Sequence, residues 1–299
     1  MWLYILKKLF SLLLIILAST AVVYFTARHF PGDSITVLYG ETEPSPEARA
    51  ALEAKLGLDK PVYMQLLLFW KRLFTGDWGT SVFAGEPVLN LILRRYVNSL
   101  ILALTATATT TALCILLAYI STMKSFGGAS SALATASTSM PAALWGVVLM
   151  FALALLRVPI PFGSLAMPLA TLTIAGIGVF YTVLKNLIDK ALSEPFIGFY
   201  KAMGLGRVRL FIKALHYITP VYVTAVLYRM GLIVAGAIAT ETLFSYPGMG
   251  RLLVEAFSSR DYSVLLGWAT VTSATLALLN ILGDLLHAYI DPRTREGKW

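Results

Sequence analysis

The sequence predicts an all-α protein that crosses a membrane about six times. Of its 299 residues, 58% are hydrophobic and only 13% are charged, and the mean hydropathy is +0.75. Soluble domains carry roughly 25% charged residues, so this composition argues against a water-soluble fold. The apolar residues form uncharged runs, and several are long enough to cross the bilayer, which takes about 20 helical residues.

Six such runs are present, and the fifth is interrupted only by Arg229. Backbone groups in lipid must be hydrogen-bonded internally, so each run is predicted to be a helix. The first run follows Lys7 and Lys8 as in a secretory signal, but it is too long and lacks a clear cleavage site, so we interpret it as an uncleaved span. The runs are residues 9–27, 96–123, 125–156, 158–184, 217–240 and 262–283.

The sequence lacks the motifs typical of several kinds of catalytic, metal-binding and nucleotide-binding site. The single cysteine, Cys114, lies inside the second run and excludes a disulfide framework or a CxxC site. His29, His216 and His287 are too far apart for a typical metal motif. Neither a GxxxxGK[ST] phosphate loop nor a GxSxG elbow occurs, and no basic-aromatic motif indicates nucleic-acid binding. We expect no catalytic residue, metal site, cofactor or nucleic-acid partner for this chain.

The distribution of basic residues predicts the orientation of the spans. With six spans both termini lie on one side, and short cytoplasmic loops are enriched in Lys and Arg. Placing the termini in the cytoplasm puts twelve basic and five acidic residues there, against eleven of each outside. The cytoplasmic basic residues are then Lys7, Lys8, Lys124, Lys185, Lys190, Lys201, Arg207, Arg209, Lys213, Arg293, Arg295 and Lys298.

Three regions follow from the order of the runs. Residues 1–30 form the first transmembrane helix, and residues 31–95 form an external segment. In that segment, residues 47–56 have helical composition, and residues 62–74 indicate a helix lying in the outer interface. Residues 96–299 form a core with five transmembrane helices, which includes a cytoplasmic loop over residues 189–220. Small residues at 105–111 and 129–139 are typical of close helix packing in membranes.

The cytoplasmic loop contains a predicted short helix near residues 193–204. Ser193 can cap it, Glu194 favours its positive end, and Pro195 suits its first turn. A left-handed residue is expected to end it at Gly204 or Gly206.

One face of this helix is predicted to be apolar and aromatic. Such a face requires a partner: a groove on another protein, the chain's own helices, or the inner lipid headgroups. The residues at helical spacing on this face are Phe196, Phe199 or Tyr200, and Met203.

Charged residues inside the spans are candidates for a translocation pathway. An arginine at mid-membrane costs about 2.5–3.5 kcal/mol on insertion scales, so Arg229 is expected to face a pathway or a carboxylate, or to reach the headgroups. Glu241, near the outer end of the same span, and Asp284 are the acidic candidates. In one continuous helix, the twelve residues from Arg229 to Glu241 would span about 18 Å along the axis, which argues against a direct ion pair.

Several segments resemble one family of transport proteins. Residues 194–220 resemble the cytoplasmic loop by which permease subunits of ATP-binding-cassette importers dock their ATPases, with Gly204 at the characteristic glycine and Pro220 at the closing proline. In particular, the chain resembles the dipeptide, oligopeptide and nickel permease family. Other matching segments, in the family's order, are residues 31–33, 56–61, 76–81, 139–141, 241–250, 259–262 and 284–293.

The resemblance implies a type I importer permease fold in a prokaryotic cell membrane. It also implies a second, like or unlike permease subunit, two cytoplasmic ATPases that bind ATP and Mg, and an extracytoplasmic substrate-binding protein. Peptides, nickel and oligosaccharides are all possible substrates. The coupling residues it implies lie between Glu194 and Pro220. An ion-coupled secondary transporter is the alternative, although the repeated halves typical of that class are not visible, and a membrane hydrolase lacks a plausible nucleophile and base.

Overall fold

The computed structural model describes residues 2–29, 34–39, 44–56, 59–122, 127–159 and 161–290. Within these ranges the regular secondary structure is helical, apart from one isolated bridge between Thr80 and Pro87. The helices are α1 (Trp2–His29), α2 (Ser34–Tyr39), α3 (Pro46–Leu56), α4 (Val62–Thr75), α5 (Val88–Ser121), α6 (Gly127–Thr138), α7 (Ala142–Leu155), α8 (Ala166–Leu192), α9 (Pro195–Ala202), α10 (Arg207–Gly236), α11 (Ile238–Leu243), α12 (Met249–Ser258) and α13 (Tyr262–Ile290).

Among the described residues, five helices are long and apolar enough to cross a membrane, and a bent pair, α6 and α7, raises the number to six. This confirms the predicted all-α fold with about six spans. The five single spans are Leu6–His29, Val88–Ser121, Ala166–Leu192, Arg207–Ala235 and Tyr262–Leu286.

The third predicted run is helical, but it forms two helices and not a single one. Helices α6 and α7 meet at an angle of 101°. Pro141 precedes α7 with φ −58° and ψ 151°, and a proline disfavours helical geometry in the residue before it. The indole N–H of Trp145 donates to the Ser137 carbonyl at 3.0 Å, so a side chain satisfies one of the carbonyls exposed at the end of α6.

Helix α5 begins at Val88, whereas the uncharged run begins at Tyr96. Arg94 and Arg95 therefore lie inside the helix, where Glu86 pairs with Arg94 and Glu255 pairs with Arg95. An uncharged run cannot extend past these arginines, so the sequence places the start of the span too late. The helix continues through them because they form ion pairs and have long side chains. The expected division at residue 95 thus falls within α5.

The chain divides into two units. The first comprises Met1–Ser99, Val234–Ile238 and Pro247–Leu278. Its core combines residues of α1, α4, α5, α12 and α13, among them Tyr24, Phe69, Ile92 and Leu265. A Cβ added at Gly267 would lie 2.4 Å from the Cδ1 atom of Ile92, so glycine is needed where α13 touches α5.

The second unit comprises Leu100–Ile233, Ala239–Tyr246 and Leu279–Trp299. In this unit α8 packs against both α6 and α7. A Cβ added at Gly178 would lie 2.5 Å from the Ala134 carbonyl oxygen, and the Tyr181 hydroxyl donates to the Ser130 hydroxyl at 2.7 Å. The small residues of α6 therefore allow the close packing that the sequence predicts.

Candidate functional site

Helix α9 begins one residue later than the sequence suggests. Glu194 occupies the N-cap position with extended backbone, and Pro195 is the first helical residue. Ser193 instead ends α8, and its hydroxyl donates to the Lys190 carbonyl at 2.7 Å. The prediction that Ser193 caps α9 was therefore wrong, because its hydroxyl bonds the carbonyl end of the preceding helix.

The C-terminal end of α9 is set by Gly204. This residue has φ +81°, which L-residues with a side chain rarely adopt. The Leu205 N–H donates to the Tyr200 carbonyl at 3.2 Å and the Gly204 N–H to the Lys201 carbonyl at 3.0 Å, which is the Schellman pattern. Gly206, the other candidate, does not have positive φ.

The predicted apolar face of α9 is divided between the protein and its surroundings. Ile197 is buried in a cluster with residues of α8 and α10. Phe196 is half-buried, with its ring centre 5.0 Å from that of Tyr217, and Lys213 Nζ lies 5.2 Å from the centre of the Tyr200 ring. By contrast, Phe199 is 64% exposed and Met203 is 52% exposed. The available surface is therefore Phe199 with Met203, one helical turn apart.

Sequence reasoning missed Ile197 as the residue that anchors α9. The position of Ile197 between Phe196 and Phe199 was visible in the sequence. Helical periodicity alone, however, could not show which face of α9 packs against the protein.

Pro220 lies inside α10, and its match to the closing proline of the family's loop stays a prediction. Helix α10 begins at Arg207, thirteen residues before Pro220. A proline lacks only one N–H, so a long helix held by neighbours tolerates it. Between α8 and α10 only residues 193–194 and 203–206 are non-helical, and α9 is therefore tied closely to both helices.

Arg229 is buried within the second unit, with 6% of its surface exposed. Its Nη2 donates to the Leu172 carbonyl at 2.8 Å, and its guanidinium carbon lies 4.7 Å from the centre of the Phe180 ring. Buried Nη1 has no hydrogen-bond partner among the described residues. A Cβ added at Gly176 would approach Nη2 to 2.1 Å, so glycine at this point of α8 leaves room for the guanidinium.

Glu241 lies in α11 and is fully buried. Ala237 separates α10 from α11, so one continuous helix does not carry both Arg229 and Glu241. The Tyr246 N–H donates to the Glu241 carbonyl at 2.8 Å. Burial, together with the nearby Glu241 carboxylate, raises the pKa of Tyr246. The assignment of Arg229 and Glu241 to a pathway stays a prediction.

Two of the motifs found in the sequence meet in the first unit. The Asp261 carboxylate accepts hydrogen bonds from the Ser81 hydroxyl at 2.7 Å and from the Val82 N–H at 2.8 Å. It also accepts the Val264 N–H at 3.2 Å, which places the charge at the positive end of α13. Residues 76–87 are thereby joined to the start of α13. The motifs at 76–81 and 259–262 are both visible in the sequence, but their pairing is not.

The long apolar helices and the bent pair α6–α7 define an all-helical, multi-pass membrane protein. The sequence matches the family model described as "Binding-protein-dependent transport system inner membrane component" over residues 110–296. It also matches the model for the N-terminal part of such membrane components over residues 1–103. The chain belongs to the binding-protein-dependent transport system inner membrane component family.

Similar curated proteins cover nearly the whole chain. The dipeptide transport system permease protein DppB of Escherichia coli (strain K12) is 28% identical, with 99% of each chain covered. The probable peptide ABC transporter permease protein y4tP of Sinorhizobium fredii is also 28% identical, over 99% of this chain and 100% of the relative. The metal-staphylopine import system permease protein CntB of Staphylococcus aureus (strain NCTC 8325 / PS 47) is 23% identical, with 99% of each covered.

These findings confirm the family resemblance and the type I permease fold. The protein is a multi-pass permease subunit of an ATP-binding-cassette importer, and the secondary-transporter alternative has no support.

Proposed function

We propose that this subunit carries a peptide, or a solute of similar size, into the cell by ATP-driven alternating access. One relative named above is a dipeptide permease and another is described as a probable peptide permease, which supports a small peptide as the substrate. Uptake of a labelled dipeptide into proteoliposomes containing the complete transporter tests this proposal. Uptake of a nickel chelate or an oligosaccharide without dipeptide uptake would contradict it.

The proposed assembly contains a second permease subunit, identical or different, which lies with this chain in the membrane lipid. Two cytoplasmic ATPases and an extracytoplasmic binding protein complete it. ATP and Mg are proposed to bind to the ATPases, and no cofactor is proposed for this chain. The orientation proposed from the basic residues puts the N- and C-termini in the cytoplasm and α9 on the ATPase side. Arg229 and Glu241 remain the candidates for charged groups along the pathway.

Helix α9 is proposed to be the lever that an ATPase moves. The observation that carries this proposal is the division of its apolar residues: Ile197 and Phe196 attach α9 to its own unit, while Phe199 and Met203 remain exposed. Glu194 and Gly204 define its two ends. A short helix tied closely to α8 and α10 transmits a push from an ATPase to two membrane spans, and thereby shifts the inward-open and outward-open populations.

Substituting Phe199→Asp in the assembled transporter tests the lever. A charge in a buried apolar contact weakens that contact. The amount of ATPase that co-purifies with the permease is therefore expected to fall at least about tenfold. Phe83→Asp is the matched control, because Phe83 is 65% exposed and Phe199 is 64% exposed, while the predicted orientation puts Phe83 outside the cell. Equal ATPase retention in the two variants would contradict the assignment of α9.

A further inference from the structure

A polar cavity of about 130 Å³ lies in the first unit. Its walls come from α1, α4, the segment 77–82 and the first turn of α13. Residues that matter for its chemistry are Tyr24, Lys60, Arg72, Trp78, Tyr262 and Ser263. The proposed transport function uses none of these residues, so the cavity requires a separate explanation.

The carboxylates at this cavity are already occupied. Asp261 accepts hydrogen bonds from Ser81, Val82 and Phe83 and from the first turn of α13. Asp77 accepts the Gly79 N–H at 3.0 Å, and its other oxygen lies 3.8 Å from Arg72 Nε. Asp261 therefore offers no free oxygen to a cationic ligand, and the charge of the exposed Asp77 is shared with Arg72.

The cations are less fully compensated. Lys60 is exposed at the cavity, and among the described residues it has no ion pair within 4.0 Å. Behind the cavity wall, the Arg28 guanidinium lies 4.6 Å from the centre of the Tyr262 ring, and its buried Nε has no partner among the described residues. The cavity therefore favours an anion.

The surroundings resemble the headgroup level of a membrane. Tyr24, Trp78 and Tyr262 line the cavity, and tyrosine and tryptophan are enriched at membrane interfaces. Next to it, α1 and α4 pack against each other, and both expose apolar side chains such as Val22 and Leu67. An anionic group at this position can thus be joined to an apolar chain that lies along α1 and α4.

We propose that the cavity binds the phosphate group of an anionic phospholipid. Lys60 and Arg72 contact the phosphate, the Arg28 charge behind the Tyr262 ring favours it, and the acyl chains lie on the exposed faces of α1 and α4. The limited volume favours a small, net-negative headgroup over choline, whose cationic end would face Lys60. This inference depends on the membrane-spanning fold and is independent of which solute is transported.

The test is native mass spectrometry of the complete transporter purified in mixed micelles that contain equal amounts of phosphatidylglycerol and phosphatidylcholine. The wild type is expected to retain phosphatidylglycerol selectively, and Lys60→Glu and Arg72→Glu are each expected to lower that retention at least tenfold. Lys71→Glu is the matched control, since Lys71 is also exposed on α4 but does not line the cavity. An equal loss in the control, or equal retention of phosphatidylcholine by the wild type, would overturn the proposal.

A second measurement separates lipid phosphate from free phosphate. If the protein broadens the phosphorus NMR line of inorganic phosphate but does not retain phosphatidylglycerol selectively, the cavity binds free phosphate and the lipid proposal is overturned. Retention of phosphatidylglycerol in the presence of excess inorganic phosphate supports it. Unchanged apparent melting temperatures for Lys60→Glu and Arg72→Glu will show that the variants keep their fold.

Discussion

The Asp261 carboxylate and the Ser81 hydroxyl lie 2.7 Å apart although 180 positions separate them in the chain. This hydrogen bond joins the segment before α5 to the start of α13. Asp261 is buried, so its charge depends on the donors that surround it. Buried charges with a full set of donors are stable, but their removal leaves those donors without partners.

Asp261→Ala is therefore expected to destabilise the first unit by on the order of 3 kcal/mol. The measurement is the free energy of unfolding in mixed micelles titrated with SDS. Limited proteolysis should also cleave residues 80–87 faster in the variant. Asp77→Ala is the control, because the Asp77 side chain is 63% exposed, and a loss as large as that of Asp261→Ala would contradict this account.

Gly178→Ala is expected to destabilise the packing of α8 against α6 by about 1–3 kcal/mol, the usual range for overpacking. The added Cβ would lie 2.4 Å from Thr138 Cγ2 and 2.5 Å from the Ala134 carbonyl oxygen, and the carbonyl cannot move without moving α6. Gly128→Ala, also in the second unit, has nothing within 4 Å of its added Cβ. It should be neutral or stabilising by up to about 1 kcal/mol. Equal destabilisation by both changes would refute the close contact.

Gly176→Ala is expected to act through Arg229, because the added Cβ would lie within 2.1–2.4 Å of the guanidinium. A double-mutant cycle with Arg229→Met measures that dependence. In the wild-type background the glycine change should cost about 1–2 kcal/mol, and in the Arg229→Met background less than about 0.5 kcal/mol. Additive losses would show that Gly176 and Arg229 do not interact. Dipeptide uptake by Arg229→Met separately tests the predicted pathway role of this arginine.

Gly204→Ala and Gly206→Ala form a matched pair at the end of α9. Only Gly204 has a left-handed conformation, and forcing alanine into it costs about 1 kcal/mol. Amide hydrogen exchange in the last turn of α9 should therefore become about fivefold faster in Gly204→Ala and stay unchanged in Gly206→Ala. Faster exchange in Gly206→Ala alone would contradict the Schellman end described above.

Much of the fold and part of the site could be predicted from local patterns. Long uncharged runs predict helices because a segment in lipid satisfies its backbone within itself, and α9 was predicted from Glu194, Pro195 and a following glycine. The start of α5 was missed, because the Arg95–Glu255 ion pair joins residues 160 positions apart. Local patterns also left open that α10 passes through Pro220, since neighbours decide whether a helix continues through a proline.

The sequence by itself determined the number of spans, their approximate limits and the family of the protein, because hydrophobicity, helix ends and motif order are local properties of the chain. Only the tertiary structure decided that α6 and α7 form a bent pair, that Phe199 and Met203 are exposed while Ile197 anchors α9, and that Ser81 meets Asp261. These features depend on side-chain volume and hydrogen-bond partners supplied by distant segments, and no local pattern contains that information.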